Sequence, residues 1–229
     1  MKHCCYETEK EFIYCVEDAE GMIYENLLAD DWWTKADGNR FVKIYPLDTG
    51  WNDAWYLKPE YKKAITNNFA RLGKSWIEGV FDWQKVLLSL AQMFVENNVE
   101  WYIFGNVSEA VRGVKINPHD IDIVVHTKDF YKLKDLTYDC VIEPFADYKG
   151  TWHVRYFGKL CIDGASIDIA ADDEWNLESR FHPYDKAVWN GFDVYLEPLK
   201  LRYEVEIERE RKDRIKVIEE FMKNNPSFA

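Results

Sequence analysis

Two short runs constrain this chain more than any other feature: Asp120-Ile121-Asp122-Ile123-Val124-Val125 and Ser166-Ile167-Asp168-Ile169-Ala170. Each alternates carboxylate with aliphatic at period two. Such a pattern reads as a β-strand with one face against a core and acidic groups on the other. A third run, Trp101-Tyr102-Ile103-Phe104, is apolar throughout and stops at Gly105-Asn106. It reads as a continuous apolar strand.

The surrounding sequence supplies helices. Asp82 is an N-cap for a helix carrying Val86, Leu87, Leu90, Met93, Phe94 and Val95, which Asn97-Asn98 ends. A short helix over about Ser108 to Arg112 precedes Gly113, and Thr127 to Leu136 forms another. Strand-like runs follow at 138–145, 151–157 and 160–170, with Asp163-Gly164 as a turn or bulge inside the last. Phe192 to Leu196 is a final strand leading through Glu197-Pro198 into one long charged helix. On that helix Glu208–Lys212 and Glu210–Arg214 stand at i,i+4 spacing, and later turns bury Ile215, Ile218 and Phe221.

Residues 1–80 are of a different character. Apolar residues between Glu9 and Leu28 recur at mixed helical spacings and predict one or two helices, and Phe41 to Tyr45 predicts a strand ended by Pro46. Residues 59–72 read as helical. The expected organisation is an N-terminal accessory region over 1–80 and an α/β (α+β) core over 81–229. That core is a mixed twisted sheet with flanking helices.

The carboxylates carry the chemistry. Two aspartates at i,i+2 on one strand point the same way, roughly 7 Å apart by strand rise. With Asp168 from a later strand they suit divalent cations, and magnesium in particular takes such oxygen donors. Gly105 at a strand end lets backbone approach phosphate, and the next helix offers N–H groups to anionic oxygen. Ser108 can add a hydroxyl there, and Arg112 a charge.

These residues resemble the nucleotidyltransferase superfamily with the polymerase-beta-like core, above all its small bacterial lincosamide- and aminoglycoside-type members. The likeness rests on Tyr102-Ile103-Phe104-Gly105-Asn106-Val107-Ser108, Pro118-His119-Asp120-Ile121-Asp122-Ile123-Val124 and Ile167-Asp168-Ile169. Leu196-Glu197-Pro198-Leu199, leading to Arg211-Lys212-Asp213-Arg214, extends it, and in all it covers residues 82–222. The resemblance implies a magnesium-dependent enzyme moving a nucleotide monophosphate from a nucleoside triphosphate, ATP first, to a hydroxyl acceptor. By the same resemblance Asp120, Asp122 and Asp168 are catalytic and bind the metal, while Gly105, Asn106, Ser108 and Arg112 hold the triphosphate. The family has Gly-Gly or Gly-Ser where this chain has Gly105-Asn106, a bulkier pair. Two alternatives stand beside it: a non-catalytic nucleotide- or partner-binding module, and a toxin-like nucleotidyltransferase acting on RNA or protein.

Charge bears on the acceptor. The chain has a formal net charge of −12 over 229 residues, which disfavours general nucleic-acid binding unless a local basic patch offsets it. The densest basic stretch, Arg209 to Lys216, is interleaved with Glu210 and Asp213, so no patch is expected. A small molecule or a protein side chain is the expected acceptor. No apolar run reaches the roughly 20 residues that span a bilayer, and five unpatterned cysteines suit reduced thiols in a cytoplasm.

Other residues have plainer readings. His3, Cys4, Cys5 and Cys15 are poorly spaced for zinc. His119 reads as a turn residue packed on the sheet. Trp32, Trp33, Trp51 and Trp55 read as a satellite core rather than a stacking platform. Arg209 and Lys212 read as solvated, Asp172 and Asp173 as loop, and no Cys161–His153 nucleophile is expected.

Overall fold

The computed structural model describes residues 1–29, 33–46, 59–78, 81–147, 154–171 and 184–226. Trp32, Trp51, Trp55, His153, Asp172 and Asp173, together with the start of the expected 151–157 strand, lie outside these.

Strands β5 (Trp101–Phe104), β6 (Ile121–Val125) and β9 (Ala165–Ala171) form the middle of a seven-stranded mixed sheet. Its order is β10-β11-β5-β6-β9-β8-β7, adding β7 (Val141–Asp147), β8 (Tyr156–Ile162), β10 (Asp185–Trp189) and β11 (Phe192–Leu196). β6 runs antiparallel to β5 and parallel to β9. In the β6–β9 register Ile121 faces Ile167, Asp122 faces Asp168 and Ile123 faces Ile169. The aliphatics on both strands are buried, while the two aspartates remain half-buried. The sheet is therefore mixed, with helices packed on it, as expected.

Asp163 and Gly164 both have positive φ, at 50° and 80°. They make the two-residue turn that a tight hairpin requires, so the run expected as one strand over 160–170 is the hairpin of β8 and β9. Asp82 caps α3 (Trp83–Glu96) by accepting from Lys85 N–H at 3.1 Å, and Val86, Leu87, Leu90, Ala91 and Phe94 form its buried stripe. Helices α4 (Gly105–Arg112) and α5 (Thr127–Leu136) follow β5 and β6.

The N-terminal stretch departs from expectation. Instead of helices, residues 9–17 enter a hairpin of β1 (Lys2–Glu7) and β2 (Glu11–Glu17), and only α1 (Gly21–Ala29) is helical. Phe12 to Val16 are all buried, and a strand covered on both faces loses its alternation. With β3 (Thr34–Lys35) and β4 (Phe41–Pro46) they form an antiparallel sheet ordered β1-β2-β4-β3.

Helix α2 (Pro59–Glu78) lies against β1 and against β7–β9, burying Ile65, Phe69 and Leu72. Its Asn68 amide donates to the carbonyls of Asp139 and Val141, at 2.5 and 3.2 Å. A buried ion pair between Lys43 and Glu143 adds a tie from β4 to β7. One apolar core runs from Phe12 and Tyr14 through Leu87, Ile123 and Ile169 to Leu196, so residues on either side of position 80 share it.

The chain does not end in one long helix. It forms α6 (Leu199–Glu208) and α7 (Lys212–Asn224), separated by an elbow in which Glu210 has φ of 55°. That left-handed residue breaks the helical register, so neither Glu208–Lys212 nor Glu210–Arg214 lies within one helix. Ile218 is buried against Val114 and Leu199, with Phe221 packed beside them. Among the described residues no helix is long and apolar enough to cross a membrane.

Candidate active site

Carboxylates at the ends of β6 and β9 need a concavity to act on a ligand, and the fold provides one. A cleft of about 810 Å³ opens over them, floored by β5, β6 and β9 and walled by α6 and the elbow. Asp120, Asp122 and Asp168 all line it, as do Gly105 and Asn106. Asp122 and Asp168 are adjacent by strand register, and Asp120 precedes β6.

Gly105 is fixed by two constraints. Its φ is +60°, and a Cβ there would stand 2.2 Å from Asp122 Oδ2. The turn can therefore lie directly against the carboxylate only because no side chain intervenes. Desolvation of the Asp122 carboxylate at the cleft floor, followed by the charges of Asp120 and Asp168, pushes its pKa well above the usual range. A cluster of like charges of this kind calls for cations. Lys159 Nζ lies 3.1 Å from Asp168 Oδ1 and supplies one positive charge.

The other expected phosphate ligands are placed differently. The Gly105 N–H is committed to buried Glu197, donating to Oε2 at 3.0 Å. Ser108 is fully buried, and its hydroxyl donates back to Gly105 O at 2.8 Å. It tightens the first turn of α4 and does not reach the cleft. Arg112 is buried too: it donates to Asp185 Oδ2 at 2.6 Å, to Ser108 O at 3.1 Å and to the Glu197 carbonyl. Its charge is spent on holding β10 and β11 to α4. Asn106 does line the cleft, but its side-chain oxygen accepts from Arg214.

The wall opposite the aspartates was not legible in the sequence. Arg202, Arg209, Arg211 and Arg214 all line the cleft, forming a local basic patch contrary to the expectation from the interleaved charges. Arg202 is held by buried Glu109, whose Oε1 accepts from its Nε at 2.9 Å, and by buried Glu206. Arg211 stands 3.6 Å from Glu206, and Arg214 stands 3.9 Å from Glu109. Burial, then the like charges of Arg211 and Arg202, lowers the proton affinity of Arg209. Burial is the first cause of the same shift in Arg214. The signals were the Arg211-Lys212-Asp213-Arg214 run and the seven-residue spacing of Arg202 and Arg209, the latter the residue that ends α6. Lys212 is not part of this wall, and His119, expected against the sheet, is exposed at the cleft. Phe104, Val124, Phe157 and Val205 give the cleft apolar surface.

With its carboxylate floor and arginine wall the cleft suits a ligand bearing several negative charges, part of them met through bound cations. This chain is similar to nucleotidyltransferases. A Thermotoga maritima protein provisionally described as a nucleotidyltransferase matches with 19% identity and a TM-score of 0.42, over 61% of this chain and 92% of that one. The lincosamide antibiotic adenylyltransferase LnuA, solved with lincomycin bound, matches with 14% identity and a TM-score of 0.44, over 59% and 95%. An antigenic nucleotidyltransferase-like protein from Paracoccidioides brasiliensis matches with 14% identity and a TM-score of 0.39, over 59% and 74%. No protein-family model matches the chain, and no curated protein does.

Proposed function

We propose that the cleft is the active site of a magnesium-dependent nucleotidyltransferase, which moves a nucleotide monophosphate from a nucleoside triphosphate, ATP first, to a hydroxyl acceptor. The observation that carries this reading is the contact of the bare Gly105 turn with Asp122, itself in register with Asp168. Three carboxylates offer only oxygen donors, the set that magnesium prefers, and their mutual repulsion is relieved by a divalent ion. Asp120, Asp122 and Asp168 would hold that metal. When bound, it supplies positive charge to the triphosphate and to the attacking oxygen.

The remaining steps belong to the chain. Arg209 and Arg211 meet the outer phosphates, and Arg202 and Arg214, tied to Glu109 and Glu206 or Asn106, hold the wall in shape. Pre-positioned charge of this kind stabilises the departing pyrophosphate without reorganisation during the reaction. Asp168 takes part in activating the hydroxyl, while Lys159, 3.1 Å from its Oδ1, keeps its carboxylate oriented. The apolar patch of Phe104 and Val124 takes the face of a base or of an acceptor ring.

A small molecule or a protein side chain is the first acceptor class. The arginine wall favours a second reading, a toxin-like enzyme acting on RNA or protein, because a row of guanidinium groups also accommodates a phosphate backbone. The test is thermal stability with each nucleoside triphosphate, with and without magnesium, on wild type and Asp120→Asn. A ligand at about 100 times its Kd stabilises by roughly 2.7 kcal/mol. A magnesium-dependent rise that disappears in the mutant supports the site. A rise without later incorporation into any acceptor points to a non-catalytic binding module, and no shift with any triphosphate overturns the reading.

A further inference from the structure

The four-stranded sheet carries a second group of ligand-type side chains, away from the cleft. Cys4 and Cys15 are direct cross-strand partners in the β1–β2 pairing. Glu17 lies two residues beyond Cys15, on the same face of the strand. Ligand atoms of all three lie within 4.8 Å of one another, with Cys15 Sγ 4.0 Å from Glu17 Oε1. Their neighbours in sequence are engaged elsewhere: His3 Nδ1 meets the Tyr14 hydroxyl at 3.0 Å, and Cys5 Sγ meets Thr66 at 2.9 Å. The adjacency of Cys4 and Cys5 that argued against a metal is thus irrelevant, because pairing across the sheet assembles the group instead.

Arg40 guards it. Its Nε donates to Cys15 Sγ at 3.2 Å and stands 3.9 Å from Glu17, while its Nη2 donates to the Tyr6 hydroxyl at 2.8 Å. A positive charge already sits where two sulfurs and a carboxylate converge. Tyr6 offers that guanidinium a second anchor when it leaves the sulfur.

We infer that Cys4, Cys15 and Glu17 form a binding site for a thiophilic divalent cation of the zinc class. Two sulfurs and one carboxylate make three of the four positions of a tetrahedral site, with water as the fourth. Cys15 is fully buried and Cys4 only half-buried, so the site has a fixed anchor and an open side for entry. Two thiol protons pass to solvent as the ion binds. Magnesium, which avoids sulfur, is excluded, so the site and the cleft would take different ions.

The test is titration of the reduced full-length chain with Cd²⁺, followed by thiolate-to-metal absorbance, and with Zn²⁺ by calorimetry. One ion per chain is expected. Because Cys15 is buried, Cys4→Ser is the informative variant, and it weakens binding at least about 10-fold. Glu17→Gln weakens it less, Cys140→Ser leaves it unchanged, and Arg40→Gln tightens it by removing the competing charge. Opposed residues in an antiparallel pair also lie within disulfide range. Wild-type affinity in Cys4→Ser, absence of thiolate absorbance, or a Cys4–Cys15 disulfide that persists with no metal capacity in reductant would each overturn the inference.

Discussion

Adding one methyl group at position 105 separates backbone strain from site geometry. In Gly105→Ala the new Cβ would stand 2.2 Å from Asp122 Oδ2 and 3.2 Å from its Cγ, at a backbone φ of +60°. The left-handed conformation alone costs an L-residue about 1–2 kcal/mol. For a chain of this size that lowers Tm by about 2–8 °C. Gly191 is the matched control: its φ is +83° and nothing lies within 4 Å of a Cβ. Gly191→Ala should show the same thermal loss and nothing else. Gly105→Ala must also displace the Asp122 carboxylate from the place where it would hold the metal, and under the proposed function a misplacement of roughly 1 Å costs about 100-fold in rate. The expected result is two variants of similar Tm, of which only Gly105→Ala loses magnesium-dependent triphosphate binding in a calorimetric titration. Wild-type affinity in Gly105→Ala, or an equal loss in Gly191→Ala, would refute the idea that this turn is shaped around the carboxylate.

Asp122→Asn should stabilise the metal-free protein by about 0.5–2 kcal/mol, as replacements of strained site residues do, while abolishing the response to magnesium and triphosphate in the same thermal scan. Because its folded pKa is raised, the ionised Asp122 weakens the fold as pH climbs above the ordinary carboxylate range, and the variant should lose that slope. Arg112→Ala removes a buried guanidinium from the partly exposed Asp185 and from two backbone carbonyls, and should cost about 1–3 kcal/mol in urea unfolding, with triphosphate affinity unchanged wherever the variant remains folded. Arg209→Gln and Arg211→Gln should do the reverse, leaving Tm near wild type but weakening triphosphate binding and flattening its salt dependence. His3, whose pKa burial lowers to about 4, binds fewer protons folded than unfolded. Stability should therefore fall as pH drops from about 6.5 to 4, by about 1–2 kcal/mol after allowing for its partial exposure, and His3→Gln should remove that loss.

Local pattern revealed the parts of the molecule whose neighbours are alike. The all-apolar β5, the capped and striped α3, and the two Ile-Asp-Ile strands announce their burial by residue type alone, and the three aspartates came with them. Ser108 and Arg112 were misjudged because their partners, Gly105 O in one case and Asp185 and Glu197 in the other, decide where the side chains go. β2 was mistaken for helix because cover on both faces erases the strand's period. The arginine wall depends on the elbow at Glu210, whose positive φ no residue type there announces. Cys4 and Cys15 stand eleven positions apart and meet only through strand pairing.

The matched pairing of β6 with β9 has a consequence for how the protein goes wrong. Sliding β6 by one residue would set Asp122 opposite Ile167 or Ile169 and turn its carboxylate inward, among fully buried aliphatics, and sliding β9 would do the same to Asp168. An unpaired ion costs heavily there, so the slipped register is disfavoured against the native one. The acidic residues proposed to hold the metal thus also fix the alignment of the strands that carry them. Substitutions that make position 122 or 168 apolar should loosen strand alignment and yield a mixed population of sheets.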